Sequence, residues 1–124
     1  MIYVYNSKIE DHTSNPNNFY IGRGSVLGNP FTHDGKKSSL AKLSFKTREE
    51  AINAYKLYFK AMYENDIEFK SIVDIIYEKY KNGEDVYLQC FCKPLECHGD
   101  FIKSEMEKRL IKEKMAERKK AHMK

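Results

Sequence analysis

The feature that most constrains the fold is a short run late in the chain, Val86 to Phe91 (VYLQCF). It is rich in β-branched and aromatic residues and has no clean polar face. Such a run is expected of a central strand covered on both sides. Two helical patterns precede it and a third follows, so layers of helix and strand alternate along the chain. The expected fold class is therefore α/β. It is a single small Rossmann-like domain with a short, mostly parallel sheet flanked by helices and a charged C-terminal helix end.

The remaining elements follow from local signals. Ile2 to Tyr5 (IYVY) reads as a first strand, and Phe19 to Ile21 as a second one running into a glycine-rich turn. Residues 32 to 46 are polar and irregular, with HDGKKSS (33–39) as the expected mobile segment. Thr47 followed by Glu50 is a capping-box start, and Ile52, Tyr55, Phe59 and Met62 recur at helical spacing. Asn65 with Glu68 repeats the start signal for a second helix burying Phe69, Ile72, Val73, Ile76 and Tyr80, which stops near Asn82-Gly83. The last helix is expected from about Phe101 past Ile111, fraying toward KKAHMK. The expected organisation is one domain over residues 1–111 with a basic helical tail over 112–124.

Composition narrows the class of function. Of 124 residues, 41% are hydrophobic and 32% charged, a balance that supports a globular core. No run approaches the roughly 18 to 20 apolar residues of a membrane span. MIYVYNSKIED lacks the basic start and long apolar stretch of a signal peptide, and is expected to belong to the fold. Three cysteines, an odd number, read as reduced thiols and point to the cytoplasm. The net charge of +4 raises the question of nucleic acid. Residues 112–124 alone carry six Lys/Arg against two Glu, which accounts for all of it. Nucleic acid is accordingly disfavoured as a partner, no membrane is expected, and homo-oligomerisation stays open.

Two loops carry the chemistry. In Gly22-Arg23-Gly24-Ser25-Val26-Leu27-Gly28-Asn29-Pro30, three of the six glycines fall within seven residues. That density permits close approach of backbone N–H groups to a ligand. Arg23 adds a planar fork of donors matched to phosphate or carboxylate, while Ser25 and Asn29 add neutral hydrogen bonds. The pattern is neither a dinucleotide fingerprint nor a Walker loop. Against it stands the plain reading of a tight turn whose arginine pairs with a surface carboxylate.

The second loop, Cys92 to Asp100, follows the VYLQCF strand, where α/β sheets place their ligands. Gly99 is expected to turn the backbone into the helix and Asp100 to serve as its N-cap. Cys90, Cys92, Cys97 and His98 could be counted as a zinc set. Two lie two apart on a strand and two are adjacent, which suits tetrahedral closure poorly, so no metal and no cofactor is expected. Cys90 reads as a core thiol. A Cys92 or Cys97 nucleophile paired with His98 stays open beside the reading of a ligand-binding strand end.

These residues carry a resemblance. Ile21-Gly22-Arg23-Gly24-Ser25-x-Leu27-Gly28-Asn29-Pro30-Phe31 and Cys90-x-Cys92-Lys93-Pro94-Leu95-x-Cys97-His98-Gly99-Asp100 resemble a family of small bacterial and phage proteins, the domain of unknown function numbered 4326. Arg48-Glu49-Glu50-Ala51-x-x-x-Tyr55 resembles its helix start, and Phe91 stands where a tryptophan is expected. The resemblance spans residues 20 to 102 and brings no established reaction. It implies that both loops belong to one fold and one pocket. A looser likeness joins the chain to Rossmann-like domains suspected of binding nucleotides.

The expected function is a pocket for a phosphorylated small molecule, a nucleotide or a nucleotide-derived signal. In a phage-borne family such a pocket would sequester a host defence signal, an anti-defence role. Its residues would be Tyr20, Arg23, Gly24, Ser25, Gly28, Asn29 and Phe31 from the first loop. The second loop would supply Cys92, Lys93, Cys97, His98, Gly99 and Asp100. Tyr20 or Phe31 would stack on a base. The rivals are an enzyme acting on a nucleotide or N-glycosidic bond through His98, Asp100 or a cysteine, and an adaptor working through the basic tail.

Overall fold

The computed structural model describes residues 1–32, 43–44, 47–91, 93, 95 and 97–122; of Phe31, Thr32, Leu43, Ser44, Ala121 and His122 only the backbone is described. Three strands, β1 (Ile2–Asn6), β2 (Asn18–Tyr20) and β5 (Val86–Cys90), form a sheet in the order β1-β5-β2, with both neighbours parallel to β5. A second, two-stranded parallel pair joins β3 (Phe31–Thr32) to β4 (Leu43–Ser44). Part of the stretch expected to be irregular is therefore paired. The segment 33–39 lies outside the described residues.

The helices are α1 (Arg48–Asn65), α2 (Ile67–Lys81) and α3 (His98–His122). Thr47 caps α1 as expected, its hydroxyl accepting from the Glu50 N–H at 3.1 Å. The start of α2 differs from expectation. Asn65 closes α1, while Asp66 ends one helix and opens the next. Its N–H donates to the Met62 carbonyl, and its carboxylate accepts from the Phe69 N–H at 3.0 Å. A shared cap of one residue folds the two helices into a tight hairpin. Gly83, at φ 85°, supplies the expected left-handed exit from α2.

The core lies on one face of the sheet. Ile2, Val86, Leu88 and Cys90 point into it and meet Tyr55 and Phe59 of α1, Phe69, Val73 and Ile76 of α2, and Ile102 and Met106 of α3. Strand alternation sends Tyr3, Tyr5, Tyr87, Gln89, Asn18 and Tyr20 to the opposite face. On that face His12, from the loop after β1, stacks on Tyr87 at 4.2 Å, and Asp100 and Lys103 of α3 share a cleft with Tyr3, Tyr5 and Tyr87. The two faces of β5 are unequally covered: Val86, Leu88 and Cys90 are buried, whereas Tyr87 and Gln89 are half-buried.

The last helix also departs from expectation. It starts three residues earlier, at His98; it runs past Ile111 as expected and continues to His122. Glu113 ties it back to the body through Lys81, at 3.1 Å. No described helix is long and apolar enough to cross a membrane.

Candidate functional site

Because the three strands are parallel, their carboxyl ends lie on one side, and the loops leaving them converge there. Two buried polar side chains fasten those loops. Asn6, at the end of β1, donates through Nδ2 to the carbonyls of Phe91 (3.2 Å) and Lys93 (3.1 Å), and its Oδ1 accepts from the Lys8 N–H. His98, 6% exposed, brings Nε2 to 2.7 Å from the Ile21 carbonyl. The first of these contacts holds the 91–97 loop to β1. The second holds α3 to the glycine-rich turn.

That turn is built from its own hydrogen bonds. Gly22's carbonyl accepts from the Ser25 N–H and from Ser25 Oγ at 2.6 Å, and the Gly28 N–H donates to the Ser25 carbonyl. Gly24 adopts φ 91°, a conformation a side chain would strain. A Cβ at Gly28 would stand 2.5 Å from the Gly22 carbonyl oxygen, so the turn closes only around glycine there. Tyr55 anchors the loop from α1, its buried hydroxyl donating to the Leu27 carbonyl at 2.7 Å. Arg23, half-buried, donates from Nη1 to the Asn29 carbonyl at 2.7 Å, which aligns its guanidinium along the turn.

The start of α3 corrects the expected cap. Cys97, not Asp100, occupies the N-cap position, and Cys97 Sγ accepts from the Gly99 N–H at 3.4 Å. Asp100 is the third helical residue and its carboxylate reaches back to the Cys97 N–H at 3.1 Å, the reciprocal half of a capping box. Lys93 closes on the same carboxylate at 2.5 Å. The helix end that was expected to present donors to an anion is therefore met largely by its own side chains.

His98 is electrically neutral at ordinary pH. Burial drives its pKa down to about 4, outweighing the bond to the Ile21 carbonyl, and the nearby positive charge of Arg23 lowers it further. A carbonyl can only accept, so Nε2 carries the proton and Nδ1 is a bare lone pair, 3.6 Å from Cys97 Sγ. A neutral imidazole gives a thiolate no ion-pair support, and both ring nitrogens face protein atoms. This geometry makes His98 a positioning residue for the turn rather than a donor to an anion or an acid at neutral pH.

Arg23, Gly24, Ser25, Gly28 and Asn29 thus lie on one turn, and His98 and Gly99 pack directly beneath it. Gly99 lies so close that a Cβ there would be 2.7 Å from Ile21 Cδ1. Lys93 and Asp100 line a neighbouring cleft of about 370 Å³ at the β1 edge, which Tyr5 and His12 also line. Phe31 contributes backbone to β3, and Cys92 lies outside the described residues.

Two residues here, Phe91 and Lys8, were not among the expected ligand-binding residues. Phe91, 50% exposed, leans edge-on against Tyr20, 42% exposed, with ring centroids 6.0 Å apart. Lys8 Nζ stands 5.8 Å from the centre of the Phe91 ring. The Tyr20 hydroxyl donates to the Arg23 carbonyl at 3.1 Å, so this aromatic pair adjoins the arginine turn. A large aromatic residue immediately after a strand, outside the alternating core positions, was the available signal for Phe91.

A family model described as domain of unknown function (DUF4326) matches residues 4–108. The chain belongs to this family. The DUF4326 match takes in β1, the arginine turn, the helical hairpin, β5 and the first turns of α3, and so the whole of the site. Comparison with curated proteins and with solved structures found no match.

Proposed function

We propose that the protein binds a phosphorylated small molecule bearing an aromatic ring, a nucleotide or a nucleotide-derived signal, at the carboxyl ends of its parallel strands. The observation that carries this reading is the exposed Tyr20–Phe91 pair adjoining the Arg23 turn. Exposed aromatic rings offer a stacking surface, and an arginine on a glycine-rich turn offers a planar fork to phosphate. Lys8 adds positive charge from the loop after β1.

The role that fits best is holding rather than converting the ligand. His98, the residue best suited to acid–base work at neutral pH, is neutral, buried and committed to the Ile21 carbonyl. Sequestration of a host signal by a phage-type protein is the biological form of that role.

The test combines mass spectrometry of small molecules that co-purify with the protein and titration calorimetry with nucleoside monophosphates. Arg23→Ala removes a charge-assisted pair worth about 2 to 5 kcal/mol, roughly 30-fold or more in affinity. Phe91→Ala, at an exposed position, removes stacking worth about 1 to 3 kcal/mol per base. Absence of nucleotide binding by the wild type, or full affinity in both variants, would overturn the reading. Conversion of the nucleotide during incubation would replace sequestration by catalysis.

A further inference from the structure

A line of polar groups crosses the less covered face of the sheet and ends at an amide with donors to spare. The Tyr5 hydroxyl donates to Asn18 Oδ1. Asn18 Nδ2 then donates to Gln89 Oε1 at 3.0 Å. The directions follow from the inventory of donors and acceptors. The Tyr5 proton needs an acceptor. Asn18 offers one only through its carbonyl oxygen. That choice turns the Asn18 NH₂ toward Gln89, which must meet it with Oε1. The NH₂ of Gln89 is left facing away from the relay, and among the described residues no protein acceptor meets it.

Gln89 sits where a ligand ring would need it. It is the register partner of Tyr20 on the same face of the sheet and lies two residues before Phe91. It is half-buried, so a ring resting on Tyr20 and Phe91 would strip water from the amide and oblige the ring to supply an acceptor.

We propose that Gln89 selects the ring, its Nε2 hydrogens donating to a carbonyl oxygen or ring nitrogen on the edge of a nucleobase held at Tyr20 and Phe91. Tyr5 and Asn18 are positioning residues that keep the amide from turning round. The inference rests on the nucleotide reading above and adds to it the feature by which one base is told from another.

The experiment is titration calorimetry of the full chain with AMP, GMP, CMP and UMP, and with ribose 5-phosphate, which has no base. The wild type should separate its best from its worst base by roughly tenfold, the cost of leaving one half-buried donor unmet. Gln89→Met, close in length and without donors, should flatten that ranking and leave ribose 5-phosphate affinity unchanged. Gln89→Leu serves the same purpose if the methionine variant fails to fold. Tyr5→Phe frees the relay and should blunt the ranking with ribose 5-phosphate unaffected, whereas a purely structural role for Tyr5 would move both. Equal binding of all four bases by the wild type, or an unchanged ranking in Gln89→Met, removes the role of Gln89 and leaves the nucleotide site standing. Failure of the wild type to bind any of the five probes removes both.

Discussion

His98 Nε2 lies 2.7 Å from the carbonyl oxygen of Ile21, so a residue at the start of α3 fixes where the glycine-rich turn begins. A protonated ring could donate to the same carbonyl, so it is burial, not this bond, that keeps the ring neutral by lowering its pKa to about 4. An unfolded chain takes up the proton near 6.5. Between those values the unfolded state holds the extra proton, so stability rises with pH. The contribution is complete above about pH 6.5 and is lost as the pH falls toward 4. It amounts to roughly 3 kcal/mol, about 1.4 kcal/mol per unit. Urea unfolding at pH 4.5 and pH 7 should show this dependence in the wild type. His98→Gln, which keeps a donor but cannot titrate, should lose it.

Gly99→Ala should destabilise the fold. An added Cβ would stand 2.7 Å from Ile21 Cδ1 and 2.8 Å from Val4 Cγ1, contacts that force α3 away from β1 and the turn. Overpacking of this kind costs about 1 to 3 kcal/mol. Thermal unfolding followed by circular dichroism checks the loss, and an unchanged melting temperature would contradict the packing described.

Truncation after Ile111 should leave nucleotide affinity unchanged and lower stability slightly. Residue 112 lies about 21 Å along the helix axis from His98. That exceeds two Debye lengths of about 8 Å at physiological salt, so the basic end contributes little field at the site. The structural cost is Glu113, which contacts Lys81 at 3.1 Å and Arg109 at 3.8 Å. Partly exposed pairs like these are worth about 0 to 1 kcal/mol each. Parallel calorimetry and thermal melts of the truncated chain separate the two effects.

Where one local signal decided an element, the sequence was legible. Thr47 with Glu50 marked α1, and the spacing of Phe69, Val73 and Ile76 marked the buried side of α2. Errors arose where two residues competed for one role. Asn65 and Asp66 are both good caps, and the carboxylate won because it reaches the Phe69 N–H while Asn65 bonds back to the Ala61 carbonyl. Asp100 read as a cap because its carboxylate does serve the helix end, but from three residues inside it. The cap position itself went to Cys97, a residue without that preference. For the site, the glycine and arginine pattern located the turn. Phe91 and Gln89 were not read as site residues because the run has no clean polar face and passed for a strand buried on both sides, hiding the alternation that sends Gln89 to the less covered face.

The strand order has a consequence for synthesis of the chain. Both β1 and β2 bond to β5, and neither bonds to the other. When the ribosome has delivered residues 1–85, the two N-terminal strands still have no partner in this sheet, while the α1–α2 hairpin can already close on local contacts. The three-stranded sheet must therefore assemble in one late step, once residues 86–90 emerge and slot between strands made long before. Until then the first twenty residues expose two unpaired strands rich in tyrosine, the interval in which a nascent chain is most open to wrong pairing.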